Sequence, residues 1–348
     1  METSIDSFIR RTADGMANAG QYSAAKTCIS ALHGLLNTAG TARLQFGELT
    51  PGLLKAYEHR LLGSQKHRNT VSLYMRTLQT LCNKARETLG ADIPRNLFGN
   101  VFTGSDPSLH RAIPTPILQT LRDAPLEGKD SRLTFARDMF MLSFYLRGIP
   151  FIDLAFLRKC DMQNGVISYC RSKTKRRACV QVEPCAREII RRYAPRTSGS
   201  PYLLPIITRP GDAGQEHKQY ESALRLYNKH LNRIAQKLEL GIRLTSYCVR
   251  HTWATAAHDN GVDIADISAA LCHSSEKMTR RYLQSFTPDR LADVNRFVIQ
   301  SIGLDTGTQR QKEKKGQKER RKGKRKKNVP VLCRNRNETL LQRNAFCF

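Results

Sequence analysis

Three residues of types that act together on phosphate esters follow one another in the chain: Arg250, His273 and Tyr282. An arginine guanidinium is a planar fork that binds two phosphate oxygens at once. A histidine can orient a phosphate oxygen or take the proton of a nucleophile. A tyrosine that attacks phosphorus leaves a covalent protein–DNA bond, which conserves the energy of the broken phosphodiester. These residues therefore predict phosphodiester transfer by a phenolic oxygen, a reaction that requires no ATP, metal or other cofactor.

The composition of the chain agrees with a nucleic-acid partner. The 348 residues include 57 Lys and Arg against 30 Asp and Glu, a formal net charge of +27. Such an excess is the electrostatic signature of nucleic-acid binding, although a ribosomal component or another basic protein would also show it. We expect double-stranded DNA, because the candidate chemistry acts on a phosphodiester.

The cysteines and the first residues bear on the compartment. Ten cysteines are scattered with no Cys-x-x-Cys pair and no clustered histidines, so a zinc site is not expected. The chain opens on a polar, acidic run rather than a secretory signal, and it has no apolar run long enough to cross a bilayer. We therefore predict free thiols in a reducing cytoplasm and no membrane partner.

The first hundred residues predict helices that would position a DNA-binding surface. Apolar residues recur on one helical face over 22–36. Thr50 is an N-cap followed by proline at the first helical position, and Asn69 or Thr70 is expected to cap a third helix. Basic residues off the apolar stripe of that helix are the candidates for phosphate contacts. These candidates are Lys66, Arg68 and Arg76.

The rest of the chain predicts helices around a small β-hairpin, followed by a tail. The elements are a turn-rich linker over 101–114, a helix capped by Thr115 before Pro116, a buried helix over 131–146, a hairpin over 166–182 with a basic tip, a long helix through 220–238 and a last helix from 287–289. Residues 309–327 hold twelve Lys or Arg against two Glu. A segment this charged cannot bury a core and is predicted to be disordered.

Two segments carry a family resemblance. Leu-Thr-Ser-Tyr-Cys-Val-Arg-His-Thr-Trp-Ala-Thr (244–255) resembles the second signature box of the tyrosine recombinases, the phage-integrase family. Ala-Leu-Cys-His-Ser-Ser-Glu-Lys-Met-Thr-Arg-Arg-Tyr (270–282) resembles the third box with its nucleophile, at matching spacing. Residues 69–78 also resemble the core-binding domain that precedes the catalytic domain in this family.

The resemblance implies a fold that is mainly α with a small β-hairpin or sheet, closed as a C-shaped clamp around duplex DNA. A helical, SAM-like core-binding domain over 1–100 would be joined by the linker 101–114 to a mixed α/β catalytic domain over 115–303. A basic, disordered tail would occupy 304–348.

The resemblance also assigns catalytic roles. Tyr282 would be the nucleophile, Arg250 would clamp the scissile phosphate, and His273 would hydrogen-bond a phosphate oxygen or assist proton transfer. Tyr247 stands where the family usually has a histidine; a phenol can donate a hydrogen bond but carries no positive charge. Cys272 stands where Leu-Gly-His is usual, and at a positive φ it would cost about 1 kcal/mol more than glycine.

The first box and the lysine are less sharply placed. Arg147, six residues before Asp153, is the candidate first-box arginine, in a loop longer than usual that resembles integrases carried by mobile elements of gut bacteria. Arg147 capping the preceding helix is the alternative, and Asp153 would support the site from behind. Lys173 in the hairpin tip would protonate the leaving oxygen, with Lys175 as the alternative. The tip residues Arg171, Lys175 and Arg176 are further candidates for DNA contacts.

The resemblance implies a site-specific recombinase, of the integrase or DNA-invertase type, that joins DNA to tyrosine through a 3′-phosphotyrosine. Four protomers on paired sites would exchange strands. Given Tyr247 and Cys272, a catalytically weakened DNA-binding protein of the same fold is the first alternative. An activity like that of type IB topoisomerases is the second.

Overall fold

The computed structural model describes residues 4–106, 112–126, 131–273 and 275–280. Within these ranges two large hydrophobic cores form, one from apolar side chains between residues 5 and 101 and one from side chains between residues 113 and 249. A third, small cluster contains Ala254, Ile267 and Leu271. The protein is mainly helical with one small sheet, as the sequence predicts. Tyr282, the last predicted helix and the basic tail lie outside the described residues.

The N-terminal core is built from four helices whose apolar faces meet. They are α1 (Ile5–Asn18), α2 (Tyr22–Ala39), α3 (Pro51–Gly63) and α4 (Arg68–Leu89). The predicted N-cap is confirmed at α3, where the Thr50 side chain accepts a hydrogen bond from the Leu53 amide at 3.1 Å. Tyr57 of α3 and Met75 of α4 are fully buried between the helices. Side-chain packing therefore holds this part together.

The predicted start of α4 is wrong by two or three residues. The helix begins at Arg68 with His67 as its N-cap, rather than after Asn69 or Thr70. The Asn69 side chain instead bonds both backbone groups of Asp106, accepting from its amide at 2.8 Å and donating to its carbonyl at 3.0 Å. These two hydrogen bonds hold part of the predicted linker against α4. The Asn69 side chain could have capped the helix, but it bonds the backbone of the linker instead.

The second part packs helices around one central helix. Its helices are α5 (Thr115–Asp123), α6 (Ser131–Tyr145), α7 (Phe151–Ala155), α8 (Pro184–Tyr193), α9 (Ala213–Lys237), α10 (Cys248–Asp259), α11 (Ile264–Ala270) and α12 (Glu276–Arg280). Residues 136–143 of α6 are all buried, so neighbours surround this helix on every side. The buried stretch includes the polar residues Arg137, Asp138 and Ser143. The predicted cap at Thr115 is wrong: Pro114 is the N-cap and Thr115 is the first helical residue, without a side-chain cap.

The predicted hairpin is confirmed. Strands β2 (Val166–Cys170) and β3 (Arg177–Gln181) are antiparallel with Ile167 opposite Val180, and the two-residue β1 (Met162–Gln163) extends the sheet along β2. Buried residues alternate along β3, so one face of the strand lies on the core. The basic tip connects β2 to β3. In the described part of the chain, no helix is long and apolar enough to span a membrane.

Candidate active site

Arg250, in the first turns of α10, is the buried cation at the centre of the candidate site. Its side chain lies among three segments, and the residue is only 4% exposed. It donates one hydrogen bond to the Gly148 carbonyl at 3.0 Å and another to the Leu271 carbonyl. Gly148 has φ +65°, and a Cβ there would lie 2.8 Å from the Arg250 Cα. Only glycine therefore lets the loop after α6 approach Arg250 this closely.

Arg147 follows α6 in a left-handed conformation, with φ +58°. Its guanidinium lies 3.4 Å from the Cys179 carbonyl on β3, so the side chain crosses the hairpin. Arg147 directly precedes Gly148, whose carbonyl accepts a hydrogen bond from Arg250. An arginine in this backbone region costs on the order of 1–3 kcal/mol, and such residues concentrate at functional sites.

His273 lies at the end of a tight turn after α11. The preceding residue, Cys272, has φ +51°, and the His273 amide bonds back to the Ser268 carbonyl at 3.0 Å. The imidazole is buried, with Nδ1 2.8 Å from the Thr279 hydroxyl. The Cys272 conformation is the one that the sequence analysis identified as costly for any residue with a Cβ. Thr279 lies within the segment that resembles the third box, and only the structure shows that it contacts His273.

The charges around His273 set its protonation state. Burial, and then the positive charges of Arg250, Arg171 and Lys173, lower the pKa of His273 to about 4. The imidazole is therefore neutral at pH 7. Cations that disfavour a protonated histidine favour an anion in the same space, which is the charge of a phosphodiester.

The hairpin tip separates into buried and exposed basic residues. Lys173 and Lys175 are exposed, and Lys175 is held at φ +56°. Arg176 is exposed as a residue but its Nη1 donates to the His273 carbonyl, so the tip is attached to the turn. Lys173 lies close enough to His273 to lower its pKa.

Arg171 requires a correction as a candidate DNA contact. The residue is 6% exposed, and its Nε lies 3.4 Å from a carboxylate oxygen of Asp153. The charge of Arg171 is thus compensated by a buried carboxylate, whereas the described hydrogen bonds of Arg250 go to neutral carbonyls, so Arg171 is not available to a phosphate backbone. Asp153, expected behind the site, is also buried and accepts the Ser172 amide at 2.8 Å.

Two tyrosines near the site differ in exposure. Tyr247 directly precedes α10 and is 42% exposed, with its ring edge-on to that of His251 at 4.9 Å. Tyr169 of β2 was missed by the sequence analysis: burial, followed by the charge of Asp153, raises the pKa of its phenol well above the usual range. The predicted nucleophile Tyr282 lies outside the described residues.

The three N-terminal candidates for phosphate contacts differ in their surroundings. Lys66 and Arg76 are exposed. The Arg68 guanidinium lies over the Phe102 ring, 4.1 Å from its centroid, and 3.7 Å from Asp106. The Arg68 side chain is still 57% exposed, so its role as a phosphate contact stays a prediction.

Metal-ligand groups are not found among the residues that the structure describes. No cluster of three His, Cys, Asp or Glu side chains in those ranges has the arrangement of a metal site. The eight described cysteines are free thiols.

Comparison with known proteins gives a consistent set of similarities. The family model described as the phage integrase family matches residues 118–288, and the phage integrase SAM-like domain matches residues 5–92. The tyrosine recombinase XerC of Chlamydia caviae is 24% identical over 254 residues, covering 69% of this chain and 75% of XerC.

Solved structures share the fold at low sequence identity. A fragment of the Tn1549 transposon integrase in complex with transposon right end DNA is similar with TM-score 0.61 and 13% identity, over 85% of this chain and all of that fragment. The lambda integrase tetramer bound to a Holliday junction is similar with TM-score 0.53 and 14% identity, over 81% of this chain and 78% of that one.

Proposed function

Since the chain belongs to the phage integrase family, whose catalytic and SAM-like models it matches, we propose that it is a site-specific DNA recombinase. It cuts and rejoins DNA strands through a 3′-phosphotyrosine intermediate at Tyr282. The proposal keeps the predicted division into a core-binding part over 1–100, a linker over 101–114, a catalytic part over 115–303 and a basic tail over 304–348.

The arrangement around His273 is the observation that carries the proposal. Arg250, Arg171 and Lys173 all act on one buried imidazole, and the most buried of these cations are held by backbone carbonyls. Charges fixed before substrate arrives need no reorganisation in the transition state, which is how protein sites accelerate phosphoryl transfer.

Each side chain then has a step in the reaction. Arg147 and Arg250 neutralise the non-bridging oxygens while the Tyr282 oxygen attacks phosphorus. His273, which is neutral at pH 7, takes the proton that the Tyr282 phenol loses and then hydrogen-bonds the phosphate. Lys173 gives its proton to the departing 5′ oxygen. The phosphodiester bond to the 5′ oxygen breaks as the phosphotyrosine bond forms. Attack by a 5′ hydroxyl reverses the step, so no external energy source is consumed.

A nicked suicide duplex tests the nucleophile. The wild-type chain should form a covalent DNA adduct, because the released 5′ fragment diffuses away before it can religate. Tyr282→Phe should abolish the adduct and leave duplex affinity near wild type, since it removes one oxygen and almost no contact area. Tyr74→Phe, in the N-terminal core, is the matched control and should form the adduct normally. An adduct that persists in Tyr282→Phe would assign the nucleophile to another residue.

We further propose that duplex DNA is the partner and that four protomers assemble on two paired sites. The net charge of the chain and the DNA complexes of its structural neighbours support the partner. A neighbour that is a tetramer on a Holliday junction supports the assembly. The exposed candidate phosphate contacts among the described residues are Lys66, Arg68, Arg76, Lys175 and Arg176. The tail adds salt-sensitive affinity without sequence preference, and a cytoplasmic location stays a prediction.

A catalytically weakened DNA-binding protein is the second candidate, because Cys272 stands at φ +51° beside His273. That protein would bind duplex DNA and form no adduct. An activity of the type IB topoisomerase kind would form the adduct without paired sites. Strand exchange between two sites on one plasmid distinguishes a recombinase from it.

A further inference from the structure

Arg171 is a buried cation at the base of the hairpin tip, and its two acceptors belong to distant segments. The side chain is 7% exposed. Its Nε lies 3.4 Å from Asp153, 18 residues away, and its Nη1 donates to the Leu271 carbonyl at 2.9 Å, 100 residues away. A buried guanidinium is tolerated only when it is paired and hydrogen-bonded, so these acceptors fix its position.

Asp153 links Arg171 to the backbone of the hairpin tip. One carboxylate oxygen lies against Arg171, and the other accepts the Ser172 amide at 2.8 Å. Ser172 directly precedes Lys173 in the chain. The backbone that carries Lys173 is therefore held by a carboxylate whose own orientation depends on Arg171.

The Leu271 carbonyl links Arg171 to the turn that carries His273. Its carbonyl accepts hydrogen bonds from both Arg171 and Arg250. The same carbonyl begins the turn that places Cys272 at φ +51° and His273 in the site. Two charge-assisted hydrogen bonds therefore stabilise a turn that its own sequence disfavours.

From these contacts we infer that Arg171 is a positioning residue: it holds the tip that carries Lys173 and the turn that carries His273 at a fixed separation, without contacting DNA itself. The inference rests on the function proposed above. A small displacement of catalytic groups from reacting geometry is enough to cost about 10²-fold in rate. The exposed Lys175 of the same tip supplies the contrasting role of a phosphate contact.

The experiment compares Arg171→Met with Arg137→Met. Arg137 makes the matched control because it is also buried, pairs with Asp138 and donates to the Ala124 carbonyl, away from the site. Three quantities are measured for each variant: the single-turnover rate of adduct formation on saturating nicked duplex, the affinity for duplex with its salt dependence, and the NMR titration of His273. Melting curves set a temperature at which every variant is folded.

Arg171→Met should slow adduct formation by about 10²-fold while duplex affinity and its salt slope stay within twofold of wild type. The pKa of His273 should rise, because one of the cations that lower it is gone. Arg137→Met should melt at a lower temperature and leave the rate per folded molecule and the pKa of His273 unchanged. Arg171→Lys should recover part of the rate, since an ammonium can reach one acceptor but not bridge both.

If Arg171→Met does not fold, the double variant Asp153→Asn with Arg171→Met removes the unpaired carboxylate charge. It keeps an acceptor for Ser172 and lacks only the bridge to Leu271, so it should remain slow. A wild-type rate in either variant overturns the inference, and so does a loss confined to affinity and salt slope, which would make Arg171 a phosphate contact. If the wild-type chain forms no adduct, the recombinase proposal fails, and the titration alone decides: an unchanged pKa of His273 in Arg171→Met overturns the positioning role.

Discussion

The two hydrophobic cores differ in what else they bury. Among the described residues up to 106, Glu58 is the one buried charged side chain. The described residues from 112 onward bury five charged side chains and three histidines, namely Arg137, Asp138, Asp153, Arg171, Arg250, His230, His251 and His273. Burial of charge is costly unless partners compensate it. The first core is therefore held together mainly by apolar packing. The second part also buries charges, and three of them, Asp153, Arg171 and Arg250, lie at the candidate site.

Removal of the most buried arginine should have the largest effect. Arg250→Ala should slow adduct formation by about 10²-fold or more, because it removes a charge aimed at the transition state. It should also lower the melting temperature, because the Gly148 and Leu271 carbonyls each lose a hydrogen bond. Arg147→Ala should cost a similar factor in rate with little loss of stability, since Arg147 is only partly buried. Single-turnover cleavage and thermal melting measure both.

If Arg147→Ala cleaves at the wild-type rate, the first-box assignment is wrong and Arg158 should be substituted next. If Arg250→Ala melts like wild type, its buried contacts are not structural, and the contrast between the two cores weakens.

The next effect is a pH dependence of stability that arises from His273, a buried histidine of the second part. His273 has a pKa of about 4 in the folded protein, against 6.5 for an ordinary histidine. Between these values the unfolded chain binds the proton more readily, so stability from this residue is present above pH 6.5 and is lost as the pH falls towards 4. The loss should be on the order of 2 kcal/mol at pH 4.5.

Urea unfolding at pH 7 and pH 4.5 measures the difference, with His273→Gln as the reference that cannot titrate. The variant should lose less stability than wild type over this interval. Equal losses would mean that the imidazole accepts a proton without penalty, and the cationic site described above would not act on it.

The single buried charge of the N-terminal core should matter less. Glu58 accepts the Phe102 amide at 2.8 Å and the Lys55 ammonium at 2.6 Å, and its pKa is lowered despite burial by these hydrogen bonds. Glu58→Ala should destabilise the protein by about 1.5 kcal/mol, because it leaves a backbone amide without its acceptor. Chemical denaturation measures this, with exposed Glu87→Ala as the control. The rate of adduct formation on saturating DNA should not change in Glu58→Ala. A slower rate would show that the N-terminal core also helps to position the catalytic groups.

The smallest effect should have the opposite sign. Cys272→Gly removes a Cβ from a residue at φ +51° and should stabilise the protein by about 1 kcal/mol. Cys185→Gly makes the same chemical change near the start of α8 and should destabilise it. Differential scanning calorimetry should show melting temperatures that move in opposite directions. A decrease in both would mean that the turn is not strained by its cysteine.

Much of the fold was predictable because its signals are local. Apolar residues at helical spacing predicted α2 and α9, and the density of Phe, Met and Leu predicted α6. Alternation around a basic run predicted the hairpin. The errors lie at two helix starts. The Asn69 side chain bonds the distant Asp106 while His67 is the N-cap, and Pro114 takes the capping position expected of Thr115. A sequence pattern records the residues near a helix end, but not the competing partners that folding brings to it.

The candidate site divides in the same way. The sequence alone determined which residue types could act on a phosphodiester, since Arg250, His273 and the hairpin lysines are recognisable from their neighbours along the chain. The tertiary structure alone decided that Arg171 is buried against Asp153 instead of facing DNA, and that Leu271 offers its carbonyl to two arginines. These contacts join residues up to about one hundred positions apart. Burial and electrostatic pairing depend on which atoms surround a charge in space, and no spacing within the sequence encodes that neighbourhood.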